Sequence, residues 1–227
     1  MFELRTYYAA PGKLAAVHAR FRDHACRLLA KHGLNQIGFF VPSDNPDQKL
    51  IWFLAFNSRE ERDQKWKEFS ADADWQKAFK ESEANGKLVA KHESVFLTAT
   101  DFSPELKPSA APERVFELRT YTAEPGRLPN LLARFREHTV MLFKKHGITN
   151  LAYWTLMKDQ PGADATLVYI LAHQSEDAAK ASFTAFRADP DWIAAKKASE
   201  EKAGGSLTVQ DGVKSLFLKA TDYSPMK

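Results

Sequence analysis

The chain has 227 residues, 44% hydrophobic and 27% charged, with a net charge of +3, which suits one large or two small soluble domains needing no disulfide or metal staple. The single cysteine, Cys26, has no partner for an internal disulfide and fits a reducing compartment. Lys and Arg are interleaved with Asp and Glu, as in KWKEF and ARFREH, and no apolar run approaches the ~20 residues of a membrane span, so neither nucleic acid nor a membrane span is expected.

Residues 2–8, FELRTYY, alternate in the period of a strand and are rich in β-formers. Because the strand begins at once, no leader is expected and the cytoplasm is the expected location. Pro11-Gly12 turns the chain into a helix, in which Leu14, Val17, Phe21, Ala25 and Leu28 share one face. Gly33 ends that helix at the position favouring a left-handed glycine. Residues 34–42 and 49–57 read as a hairpin joined by the polar turn PSDNPDQ. Ser58 with Glu61 forms a capping box for the next helix. After a break near Ala71, Asp72 caps a shorter helix, and residues 92–100 form the last strand.

The text then starts again. FELRTY (2–7) recurs at 116–121, and more than half of the residues in 2–33 are identical in 116–147. LIWFLAF (50–56) matches LVYILAH (167–173), Asp-X-Asp-Trp at 72–75 recurs at 189–192, and VFLTATDFSP (95–104) matches LFLKATDYSP (216–225). A unit of roughly 110 residues is a small domain, not a solenoid repeat. The proline-rich stretch SPELKPSAAPER (103–114) lies between the copies, with the boundary near Pro108. Domains are therefore expected at 1–104 and 115–227, with 105–114 as linker.

The order β-α-β-β-α-β in each copy predicts an α+β fold of two ferredoxin-like domains. Each four-stranded sheet would carry helices on one face and need a cover on the other. Two copies in one chain can cover each other as an internal pseudo-dimer. The FELRTY strand with its Pro-Gly turn, the ARFREH helix ending in KHG, the Trp-bearing hairpin and the DXDW element resemble the NIPSNAP family. The resemblance implies membership of the dimeric α+β barrel superfamily, in this case an intrachain barrel. It implies no settled activity. The superfamily includes cofactor-free monooxygenases, haem-degrading enzymes and isomerases, which is an analogy of fold only.

In the first strand Glu3, Arg5 and Tyr7 point to one side, and Glu117, Arg119 and Tyr121 repeat the row. Buried charges must be paired, so the row is a structural ion-pair network or a polar pocket floor, with Arg5, Tyr7, Arg119 and Tyr121 as candidate binding residues. His24 and His138 follow Phe21 and Phe135 by one turn. They are core histidines or general bases facing a cavity between helix and sheet. Arg20 and Arg134, four residues earlier on the same face, are further binding candidates. His32 and His146 suit the negative end of a helix dipole. Zinc motifs, nucleophile elbows and phosphate loops are absent from the sequence. The expected function is the binding or transformation of a small organic molecule, without metal or cofactor, haem remaining an open alternative. If the protein is an enzyme, it is monooxygenase- or isomerase-like. The alternative is an interaction or scaffold protein without catalysis. A small-molecule ligand and a homodimer are the partners anticipated.

Overall fold

A computed structural model describes residues 1–109 and 113–227 of the chain. The chain divides into two compact units. Unit 1 comprises Met1–Leu97 with Lys219–Lys227 and a piece of the linker from Lys107; unit 2 comprises Thr98–Leu106 with Glu113–Leu218. The units follow the two sequence repeats except at the tails, where the last residues of each repeat are counted with the other unit.

Unit 1 runs β1 (Phe2–Ala9), α1 (Leu14–Arg20), a π-helical turn (Phe21–Ala25), α2 (Cys26–Lys31), β2 (Asn35–Pro42), β3 (Lys49–Ala55), α3 (Arg59–Ala71), α4 (Ala73–Ser82) and β4 (Val89–Ala99). Its strands are antiparallel in the order β4-β1-β3-β2. Unit 2 repeats the sequence of elements with β5 (Val115–Ala123), α5 (Leu128–Arg134), a second π-turn (Phe135–Thr139), α6 (Val140–Lys145), β6 (Thr149–Leu156), β7 (Thr166–His173), α7 (Glu176–Ala188), α8 (Pro190–Ala203) and β8 (Thr208–Ala220). Its sheet order is β8-β5-β7-β6.

Local chemistry sets these boundaries. The Ser58 hydroxyl accepts from the Glu61 amide at 3.1 Å, and the Glu61 carboxylate accepts from the Asn57 amide at 2.6 Å. The capping box thus closes one residue earlier than its usual form. Asp72 accepts from the amides of Asp74 and Trp75 and starts α4, and Asp189 accepts from Asp191 to start α8. At the end of α2, Gly33 has φ +69°. Its amide donates to Ala30 and that of Leu34 to Leu29, each at 2.9 Å, a Schellman ending that only a residue free to take positive φ forms without strain.

The helices and the sheet of unit 1 bury Val17, Phe21, Leu28, Leu29, Phe39, Trp52, Leu54 and Phe69 in one cluster. Unit 2 buries Leu131, Phe135, Leu142, Phe143, Tyr153, Tyr169, Leu171 and Phe186 in the equivalent one. Each such side chain contributes about 1.5–3 kcal/mol by leaving water.

The π-turns were not legible in the sequence. The Cys26 amide reaches back to the Phe21 carbonyl, and the Val140 amide to that of Phe135. The wider turn carries the buried face from Phe21 to Ala25, and from Phe135 to Thr139.

Candidate functional site

In each unit a cavity lies between the sheet and its helices. In unit 1 it measures about 330 Å³. Its floor is Tyr7 of β1 and Trp52 of β3; Phe21 and Ala25 of the π-turn, Trp66 of α3 and Trp75 of α4 form walls. Aromatic rings on this lining pack edge to face on one another, with Phe21 and Trp52 at 5.3 Å and Tyr7 and Trp52 at 5.6 Å. His92 stands at the mouth, 6.0 Å from the Tyr7 ring. In unit 2 the cavity measures about 790 Å³ and is lined by the equivalent Tyr121, Phe135, Thr139, Phe183 and Trp192.

Glu3 lies beneath this floor, fully buried. Its carboxylate accepts from Arg5 Nη1 at 2.6 Å, from Arg62 Nε at 2.9 Å and Nη2 at 2.8 Å, and from Trp66 Nε1 at 3.1 Å. Burial alone would raise this carboxyl, but the hydrogen bonds and charges of Arg62 and Arg5 outweigh it and hold it at about 2. The Arg5 guanidinium lies 4.4 Å from the Trp66 ring centre and donates to Tyr7 Oη at 3.3 Å. Arg5 is buried in the network and is not among the residues that line the cavity, whereas Tyr7 is.

In unit 2 Glu117 accepts from Arg119, from Ser215 at 2.5 Å and, with the imidazole donating, pairs with His173 Nε2 at 3.0 Å. Burial works against its ionisation, and His173 and Arg119 hold it below the usual carboxylate range nonetheless. Arg119 donates to Tyr169 Oη at 2.9 Å and Tyr121 Oη at 3.3 Å, and both Arg119 and Tyr121 line the cavity. The row is thus a sealed network at its carboxylate end in both units and a pocket floor at its tyrosine end.

Arg20 and Arg134 also line their cavities. Arg20 is 4% exposed; its Nη1 donates to Glu83 at 3.2 Å and Ser82 at 3.4 Å. Arg134 is 6% exposed and less satisfied. Its Nη1 is 3.6 Å from Glu200 Oε1, beyond a hydrogen bond, and neither Nη1 nor Nε has an acceptor. Burial pushes this guanidinium down, with Glu200 working against the shift. In unit 1, Arg20 Nε and the buried indole Nε1 of Trp52 are likewise without acceptors.

The structure places the two candidate histidines elsewhere. His24 and His138 are exposed on the outer side of their π-turns. In a regular helix the third residue after Phe21 would share its face; the widened turn gives that place to Ala25 and, in the second copy, to Thr139. His138 touches only a small outer groove between α5 and α8. Neither lines the cavity under the helices, so the geometry gives them no general-base position there.

His32 and His146 are tied to the helix caps. His32 Nε2 is 2.8 Å from Asp72 Oδ2, and His146 Nε2 is 2.6 Å from Asp189 Oδ2. Lys31 and Lys145 join them on the same carboxylates. Burial pushes the Cys26 thiol up to about 12, so it is no ready nucleophile. Among the described residues no cluster of three or more metal-ligating side chains occurs, and no helix is long and apolar enough to cross a membrane.

Arg62, Trp66, His92 and His173 escaped the sequence reading. Arg62 and Trp66 fall one turn apart on a helix that reads as a solvated charged face, and only contact with Glu3 gives them meaning. His173 had a weak signal, standing where the first repeat has Phe56.

Comparison with known proteins fits this doubled architecture. The profile of the NIPSNAP family matches residues 2–104 and again 116–225. Among curated proteins no match is found. Among solved structures, a NIPSNAP family protein from Agrobacterium tumefaciens is 26% identical over 45% of this chain and 95% of its own, with a TM-score of 0.41. A putative monooxygenase from Lactobacillus acidophilus is 12% identical over 96% of this chain and 92% of its own, with a TM-score of 0.55. An anthrone oxidase-like protein is 12% identical over 100% of this chain and 93% of its own, also with a TM-score of 0.55.

Proposed function

The chain belongs to the NIPSNAP family, with two tandem copies of the domain, and from that premise we propose that it binds a small, largely apolar organic molecule in the cavity between sheet and helices of each unit. One observation carries the reading: in both units an aromatic-walled cavity has buried N–H donors on its walls that no protein acceptor meets. A buried donor left unmet costs about 1–3 kcal/mol, so an oxygen entering the cavity is favoured there. A cleft with aromatic walls and a few convergent polar groups is the usual form of a small-molecule site.

The strand order and element order within each unit support the ferredoxin-like description, and the whole-chain fold neighbours support placing the chain in the dimeric α+β barrel superfamily. One of those neighbours is named a putative monooxygenase and another an anthrone oxidase-like protein, but at such identity they bear on the fold alone. Binding is therefore the activity proposed.

Titration with 1-naphthol, followed by tryptophan fluorescence, tests it. Saturable binding should weaken in unit 1 on Ala25→Leu and in unit 2 on Thr139→Leu, since both side chains line the cavities. Absence of saturable binding, or binding indifferent to both substitutions, would refute the proposal.

A further inference from the structure

Given the binding function proposed above, we infer that the unit 2 cavity is selective for an amphiphilic monocarboxylate, its carboxylate held at Arg134 and its apolar body among the Phe135, Phe183 and Trp192 rings, whereas the unit 1 cavity takes neutral molecules. The difference lies in what each arginine already holds. Arg20 has its Nη1 hydrogen-bonded to Glu83 and Ser82. Arg134 stands too far from Glu200 for a hydrogen bond, and two of its nitrogens have no acceptor although the side chain is 6% exposed. Removing a guanidinium from water without hydrogen bonds to its charge is costly, and a planar carboxylate matches its forked donors.

The surroundings agree in sign. The unit 2 cavity is lined by Arg119, Arg134, Arg187, Lys196 and Lys197 against Glu200 and Glu201. Arg119 is already matched by Glu117, and Lys197 lies 3.8 Å from Glu201. The excess of positive charge therefore rests on Arg134, Arg187 and Lys196, opposed by Glu200 alone. In unit 1 the place of Lys196 is taken by Phe79, Arg20 faces Glu83, and Lys87 is the one further lysine or arginine on the lining, against three such cations beyond the matched pairs in unit 2. Ile193 and Val213, both largely exposed, line the mouth in unit 2 and give a longer apolar body a path outward.

Calorimetric titration of the full chain with 2-naphthoate and with its neutral isostere 2-naphthamide decides the matter. The expected result is that naphthoate binds about tenfold or more tightly than naphthamide at one site, as one charge-assisted hydrogen-bond pair supplies. Arg134→Gln should remove that advantage, bringing the affinity for naphthoate down to that for naphthamide. Glu200→Gln should strengthen naphthoate binding several-fold, an effect that a misfolded variant does not mimic. Arg20→Gln should leave naphthoate binding unchanged. Equal affinity of the two probes, or no response of naphthoate to either Arg134→Gln or Glu200→Gln, overturns the selectivity while the binding function stands. Failure of both probes to bind overturns both.

Discussion

In unit 1 the buried Glu3 is held by two guanidiniums, and the Trp66 ring lies over Arg5. In unit 2 the equivalent Glu117 is held by one guanidinium, an imidazole and a hydroxyl, and the smaller Phe183 ring lies 4.7 Å from the Arg119 guanidinium. The position of Arg62 in the first repeat is Ala179 in the second, and that of Phe56 is His173. One guanidinium has been lost from the helix and an imidazole gained on the neighbouring strand. What stays constant is the requirement that a carboxylate out of water be matched by at least one cation and further donors; which element supplies them is free to change. Releasing the helix from that duty leaves unit 2 with a wider cavity and with Arg119 on its wall.

The largest way to break this comparison is to delete the carboxylates. Glu3→Ala leaves Arg5 without a carboxylate and Arg62 with Asp63 alone, and should cost about 3–5 kcal/mol in urea unfolding. Glu117→Ala should cost less, because it strips the carboxylate from one buried guanidinium where Glu3→Ala strips it from two. Equal losses would show that the second cation is immaterial.

Acid removes the same carboxylate without mutation. Glu3 is held at about 2, below its ordinary value of 4.5. The unfolded chain therefore binds the proton first as pH falls. The stabilisation is complete above about pH 4.5 and is lost progressively toward pH 2, with a contribution of order 3 kcal/mol at stake. Thermal melts of Arg62→Ala should show a smaller decline that ends at higher pH than in the parent protein.

Trp66→Phe turns the unit 1 cover into that of unit 2. It forfeits the indole hydrogen bond to Glu3 and part of the ring area, a loss of about 1–2 kcal/mol, and should widen the cavity enough for 1-naphthol titrations to register. The smallest effect is reserved for His24→Ala and His138→Ala. Both side chains are exposed, so stability should move by no more than about 0.5 kcal/mol in either case.

The elements and their ends were legible because their causes are local. The β1 alternation, the Ser58 and Asp72 caps and the Gly33 ending each depend on residues a few positions apart. The Glu-Arg-Tyr row was legible as a row, since strand geometry alone places it. Its partners were not: Arg62, Trp66 and His173 meet the carboxylates only through tertiary packing, and nothing near them in sequence announces it. The π-turn defeated the helical phase in the same way. Leu14, Val17, Phe21, Ala25 and Leu28 fit a regular helix closely enough to hide it, and the cost of missing it fell on His24 and His138.

The two tails reach further than their length suggests. Tyr223 packs on Phe21 and Phe39, its hydroxyl 2.7 Å from His18 Nδ1; Ser224 accepts from the Phe39 amide, and Met226 is buried. These residues end the second repeat but furnish unit 1, as Phe102 and Ser103 end the first and furnish unit 2 through Tyr153. The boundary between the sequence repeats is therefore not the boundary between the compact units. A fragment of residues 1–104 carries a tail shaped for a different repeat and lacks the one its own aromatic core receives, so sedimentation should find it soluble only as an exchanged pair of copies. Trimming 219–227 from the full chain should lower the melting temperature of the amino-terminal half.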